Sequence, residues 1–153
     1  MKDLLNLEYN QEIIIEKKTY IVKAMLKFIE DSSYWLEYIL QEKDGSEIFY
    51  LDVEPIGKYA VHKMTNLVIC PQMEVTFDGE KYELFQKGNA KIETYFGYTD
   101  VGLKENVEYF EYKCKDKLLT IEKWPNMTEV SCGKYVDKSK IKVKKIEEDN
   151  FRL

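Results

Sequence analysis

Glu12-Ile13-Ile14-Ile15-Glu16-Lys17-Lys18-Thr19-Tyr20-Ile21-Val22 comes back sixty-two residues later as Glu74-Val75-Thr76-Phe77-Asp78-Gly79-Glu80-Lys81-Tyr82-Glu83-Leu84. Each stretch reads as a short apolar strand, a tight turn and a second strand opening near a tyrosine. Asp78-Gly79 is a strong hairpin signal, because a primed turn needs positive φ and glycine supplies it without a steric cost. Lys17-Lys18 suits such a turn less well, which predicts a longer or wider first hairpin. A pattern that returns at a fixed offset is the signature of an internal repeat.

The match continues after a change of offset, which implies an inserted loop. Trp35-Leu36-Glu37-Tyr38 answers to Tyr109-Phe110-Glu111-Tyr112, and Leu51-Asp52-Val53-Glu54 to Leu119-Thr120-Ile121-Glu122. Asp44-Gly45 and Lys115-Asp116 make the corresponding turns. Strands are predicted near 11–16, 19–29, 34–42, 46–54 and 58–64 in the first copy. In the second they fall near 73–78, 80–86, 89–96, 107–114, 117–123, 128–132 and 140–146. Residues 65–72 join the copies, and the stretch from Tyr95 to Asn106 is the extra loop. The fold class is therefore all-β: two antiparallel meanders packed as one sandwich or barrel-like domain, each burying one face. The repeats span about 7–64 and 67–146 of a single domain, with 147–153 as a tail.

Composition agrees. Val, Ile, Thr, Tyr, Phe and Trp make up a third of the 153 residues, against only three alanines, and branched or aromatic side chains suit a pleated sheet. The net charge is −5, and Arg152 is the only arginine among 23 basic residues. Arginine's planar fork is the usual tool for phosphates and guanine edges, so nucleic acid is not an expected partner. Thr65 to Met73 is the longest uncharged stretch, far short of the roughly 20 residues of a membrane helix, and the first residues form no signal peptide. Cys70, Cys114 and Cys132 are odd in number and widely spaced, as expected of reduced thiols in a cytoplasmic protein. The single histidine, His62, reads as a surface or packing residue; no metal and no cofactor is expected. Lys138, Lys140, Lys142 and Lys144 alternate with Ser139, Ile141 and Val143, the pattern of an edge strand whose lysines discourage aggregation.

The order and spacing of the Tyr-containing hairpins, Trp35-x-Glu37-Tyr38, Leu51-x-Val53-Glu54, Leu119-x-Ile121-Glu122-x-Trp124 and Gly133 resemble the bacterial domain-of-unknown-function 4178 family over roughly residues 7–146. That resemblance implies an all-β domain with no assigned activity and a link to membrane-associated partners. Asn10-Gln11 departs from the Gly-Asp that usually precedes the first strand.

Strand parity sorts the candidate site residues. Leu36, Tyr38 and Leu40 share one face, as do Phe110, Tyr112 and Cys114, and these are expected to face the core. Trp35, Glu37, Tyr109 and Glu111 then point the other way. With Trp124 they form the candidate binding face, to which Glu54, Glu122, Tyr95 and Tyr98 are weaker additions. Twenty-one aromatics exceed what one small core hides, and a Tyr/Trp-rich sheet face suits protein contact. The leading expectation is a non-catalytic protein-binding adaptor using that face. The alternatives are a β-barrel holding a small molecule, and a small hydrolase using paired glutamates. No catalytic residue is assigned, because no nucleophile stands beside a base in the sequence.

Overall fold

A computed structural model describes residues 2–97 and 106–144. A single helical turn, α1 (Lys2–Leu5), precedes β1 (Glu12–Ile15), β2 (Lys18–Glu30), β3 (Ser33–Glu42), β4 (Ile48–Glu54) and β5 (Lys58–Met64). After the linker come β6 (Glu74–Phe77), β7 (Glu80–Gly97), β8 (Asn106–Cys114), β9 (Lys117–Trp124) and β10 (Met127–Tyr135). A 3-10 turn (Lys138–Lys140) leads into β11 (Ile141–Val143).

The neighbours run β11-β1-β2-β3-β4-β5-β10-β9-β8-β7-β6, and β2 also pairs with β7. That last pairing closes strands β2–β5 and β7–β10 into an eight-stranded antiparallel barrel, so of the two predicted packings the chain adopts the barrel. Both β2 and β7 serve two partners in turn along one edge. The start of β2 pairs with β1 through Lys18 to Ile21, and after a bulge between Val22 and Ala24 its far half pairs with β7. The start of β7 pairs with β6, and its end, Lys91 to Gly97, pairs with β2. The bulges bend both strands, as bulges do at barrel corners. Strands predicted separately at 80–86 and 89–96 are therefore one long strand. Tyr95 to Gly97, expected to open the extra loop, complete the seam of the barrel; the rest of that loop lies outside the described residues.

The first hairpin corrects another expectation. Glu16 and Lys17 have φ of 48° and 74°, nearly those of Asp78 and Gly79 at 51° and 76°. Ile15 pairs with Lys18 just as Phe77 pairs with Glu80. Both turns have two residues with positive φ, and the first is no wider than the second. Lys138 and Lys140, expected in an edge strand, lie in the 3-10 turn; β11 begins only at Ile141 and forms the sheet edge beside β1.

Apolar side chains pack in two places outside the barrel and one inside. Leu36, Tyr38, Leu40, Leu51 and Val53 project outward beneath α1, β1 and β11, where Leu4, Leu7, Ile13 and Ile141 cover them. Tyr112, Leu119, Ile121 and Val130 project outward beneath the β6–β7 hairpin, under Val75 and Tyr82. Each outer cluster is pinned by a buried tyrosine: Leu7 N–H donates to the Tyr38 hydroxyl and Gln72 N–H to that of Tyr112, both at 3.2 Å. These buried hydroxyls thereby keep a partner, as buried polar groups must.

Candidate functional site

Because the leucine faces point outward, the opposite faces of the same strands form the lumen. The parity read from the sequence holds, and closure reverses its meaning: the face predicted to lie outside the core is the inside of the barrel. Cross-strand register stacks the lining residues in layers. The pairs Gln41–Ile48 and Met64–Ser131 lie at one level, Ile39, Tyr50, His62 and Gly133 are neighbours at a second, and Glu37, Asp52 and Ala60 at a third. On the facing wall Ser131 pairs with Thr120 and Glu129 with Glu122.

These side chains enclose a cavity of about 520 Å³ whose wall includes Glu37, Asp52, His62, Glu122, Trp124 and Glu129. Tyr9 and Ile48, 56% and 38% exposed, mark its mouth. A smaller cavity of about 70 Å³ shares Glu37, Asp52, Thr120 and Glu122 and adds Trp35, Glu54, Tyr109 and Glu111.

Of the candidate residues, seven therefore border the lumen: Trp35, Glu37, Glu54, Tyr109, Glu111, Glu122 and Trp124. Tyr109 and Trp124 are 6% and 5% exposed, so neither presents a rim or outer docking surface. Trp35 stacks on Phe28 at 5.3 Å and meets Tyr109 edge-on at 5.6 Å, while Phe28 and Trp124 lie 6.1 Å apart. With Leu26, Ala90 and Val107 they fill one part of the lumen as an apolar plug. Tyr95 is exposed and lines neither cavity, and Tyr98 lies outside the described residues.

His62, read from the sequence as a surface or packing residue, is the packed kind and also belongs to the site. It is 4% exposed, and its Nε2 sits 3.1 Å from Asp52 Oδ2. The available signal was parity: His62 shares a face with Lys58, Ala60 and Met64, and antiparallel pairing of β4 with β5 puts that face beside Asp52. Gly133 makes room for the ring. A Cβ there would lie 2.9 Å from both the Cα and Nδ1 of His62, so only glycine lets β10 approach β5 this closely.

Burial, and then like charge, sets the protonation of the lumen. Glu37 is pushed well above the usual carboxyl range by desolvation, then by Glu122 and Asp52, and it hydrogen-bonds Asp52. Desolvation, Asp52 and Glu129 carry Glu122 up to about 8, and desolvation with Asp52 carries Glu111 up to about 7. Desolvation also raises Glu54. For His62 burial pulls the other way, but Asp52, Glu111 and Glu122 outweigh it and raise the imidazole. A protonated Glu37 donating to Asp52, and His62 donating from Nε2 to the same carboxylate, make a hydrogen-bonded chain from β3 through β4 to β5. Carboxyls kept neutral at a site's working pH can donate as well as accept.

Residues 9–138 match the family described as Domain of unknown function (DUF4178). The chain belongs to this family. No curated protein and no solved structure matches it. In this DUF4178 domain the lumen is where buried ionisable and aromatic side chains converge. Among the described residues no helix is long and apolar enough to cross a membrane.

Proposed function

We propose that this DUF4178 domain is a non-catalytic barrel that binds a small molecule in its lumen. The observation that carries the reading is the cavity of about 520 Å³, within the range of ligand pockets, walled by aromatic and ionisable side chains. An eight-stranded barrel has an interior that side chains can either fill or leave open for one ligand. Here the aromatic plug fills part and leaves the remainder open.

The adaptor reading loses its anchor, because Trp35 and Tyr109 turn inward; a partner protein would have to use a different surface. A paired-glutamate hydrolase is also less well supported. Its four glutamates, Glu37, Glu54, Glu111 and Glu122, do line one cavity, but at about 70 Å³ that cavity is far below the size of an ordinary ligand pocket.

Native mass spectrometry of protein taken directly from its producing cells should show a mass excess that disappears on denaturation. Ser131→Phe, which fills the cavity from β10, should abolish that excess while circular dichroism remains that of a β protein. Adduct-free protein whose Trp35 and Trp124 emission responds to no neutral, cationic or anionic aromatic probe would refute the proposal.

A further inference from the structure

Taking the lumen as the binding site proposed above, we propose that its ligand is an amphipathic amine: a protonated ammonium head on an apolar or aromatic body, entering head-first. The geometry of the wall supplies the polarity. At the mouth β4 and β5 present Ile48 and Met64, and two register layers deeper β3 and β4 present Glu37 and Asp52. Two residues of strand span about 6.5 Å, so the wall passes from a layer without acidic groups (Gln41, Ile48, Met64 and Ser131) to an acidic one over about two layers, roughly 13 Å. Glu122 and Glu129, directly paired across β9 and β10, add acidic groups from the facing side. Trp124 lines the same cavity, and an indole face attracts a cation.

Positive charge on the wall is scarce. Lys23 belongs to the mouth, where its Nζ lies 3.4 Å from Asn10 Oδ1 and over the Tyr9 ring. His62 acts on the head only through Asp52: its Nε2 is committed to that carboxylate, while Nδ1 is packed against Gly133, sealed from solvent and out of a ligand's reach. An ammonium brings three donors, and its charge offsets the burial and like-charge repulsion that hold Glu37 and Glu122 protonated, so it binds as they ionise. A metal ion suits the site less well: no three or more His, Cys, Asp or Glu side chains among the described residues are gathered to hold one.

The test titrates the whole protein at pH 7 with three probes of one shape, 2-phenylethylamine, 2-phenylethanol and phenylacetate, followed by calorimetry and by tryptophan emission. The amine should bind at least tenfold more tightly than the alcohol, and the acid more weakly still. Asp52→Asn and Glu122→Gln should each lower amine affinity tenfold or more and change alcohol affinity less than twofold, the alcohol showing that the lumen is intact. Equal binding of amine and alcohol, or preference for the acid, would overturn the amine assignment and leave lumen binding standing. Amine preference that survives both substitutions would move the head away from these carboxylates and overturn it too. Failure of all three probes to bind would count against the lumen itself.

Discussion

Glu122 occupies a position where ionisation costs the folded state more than the unfolded one. Its folded value is about 8 against an ordinary 4.5, that of Glu111 is about 7, and Glu37 is displaced in the same direction. Below pH 4 these carboxyls are protonated in both states and contribute no difference. As pH rises past 4.5 the unfolded chain ionises and is favoured, until the folded groups ionise in turn. His62 acts in the same sense: its raised value gives stability below the unfolded pKa that is lost as pH rises through the folded one. Stability should therefore fall between about pH 4.5 and 8 and then level off. With roughly 1.4 kcal/mol per pKa unit, the shifts of Glu122 and Glu111 alone set an upper limit of about 8 kcal/mol on the loss, or about 20 °C in melting temperature. Thermal melts at pH 5.5 and 8.5 measure this drop, and Glu122→Gln should make it clearly smaller because glutamine cannot ionise. An unchanged drop in that variant would place the titrating groups elsewhere.

At the scale of elements, the two opening hairpins allow a direct comparison of turn chemistry. Asp78-Gly79 places glycine where φ is 76°, while Lys17 holds a φ of 74° with a full side chain. A left-handed backbone costs a residue other than glycine about 1 kcal/mol. Lys17→Gly should accordingly stabilise the protein by about 0.5–1 kcal/mol, and Gly79→Ala should destabilise it by about 1 kcal/mol, both read from urea midpoints at constant m-value. The strands themselves were legible because alternation and turn residues are local: β3, β4, β5, β8 and β9 lie within two residues of their predicted bounds. Parity likewise separated Glu37 and Glu111 from Tyr38 and Tyr112. The lumen was not legible, because whether Glu37 faces water or a cavity depends on Leu26 pairing with Tyr95, a contact between distant parts of the chain that no local pattern encodes. The place of His62 in the site was missed for the same reason: its partner Asp52 lies on the neighbouring strand, and a lone histidine in sequence carries no signal of its neighbour.

At the scale of the molecule, the barrel is assembled from two continuous runs of chain, β1–β5 and β6–β10, which meet along two seams. One seam pairs β5 with β10 from Ala60 to Met64, and the other pairs β2 with β7 from Ala24 to Ile29. The lumen draws on both runs: Glu37, Asp52 and His62 come from the first, Glu111, Glu122 and Trp124 from the second. Neither run encloses a cavity by itself, and closure is what removes water from the carboxylates and raises their pKa values.

Only residues 65–73 connect the runs, and Leu67 and Val68 in this segment stand exposed. The covalent link is thus separable from the seams that hold the barrel shut, and the molecule has the plan of a heterodimer joined by a tether. Two pieces, 1–68 and 69–153, produced together should recover each other as a one-to-one complex with the emission spectrum of the intact chain, whereas each alone should aggregate along the strand edges it leaves unpaired, those of β1, β2 and β5 in the first piece. Pieces that fold independently, or never associate, would show that the tether does more than connect. The same plan lets two intact chains trade halves at high concentration, giving an intertwined pair with two complete lumens.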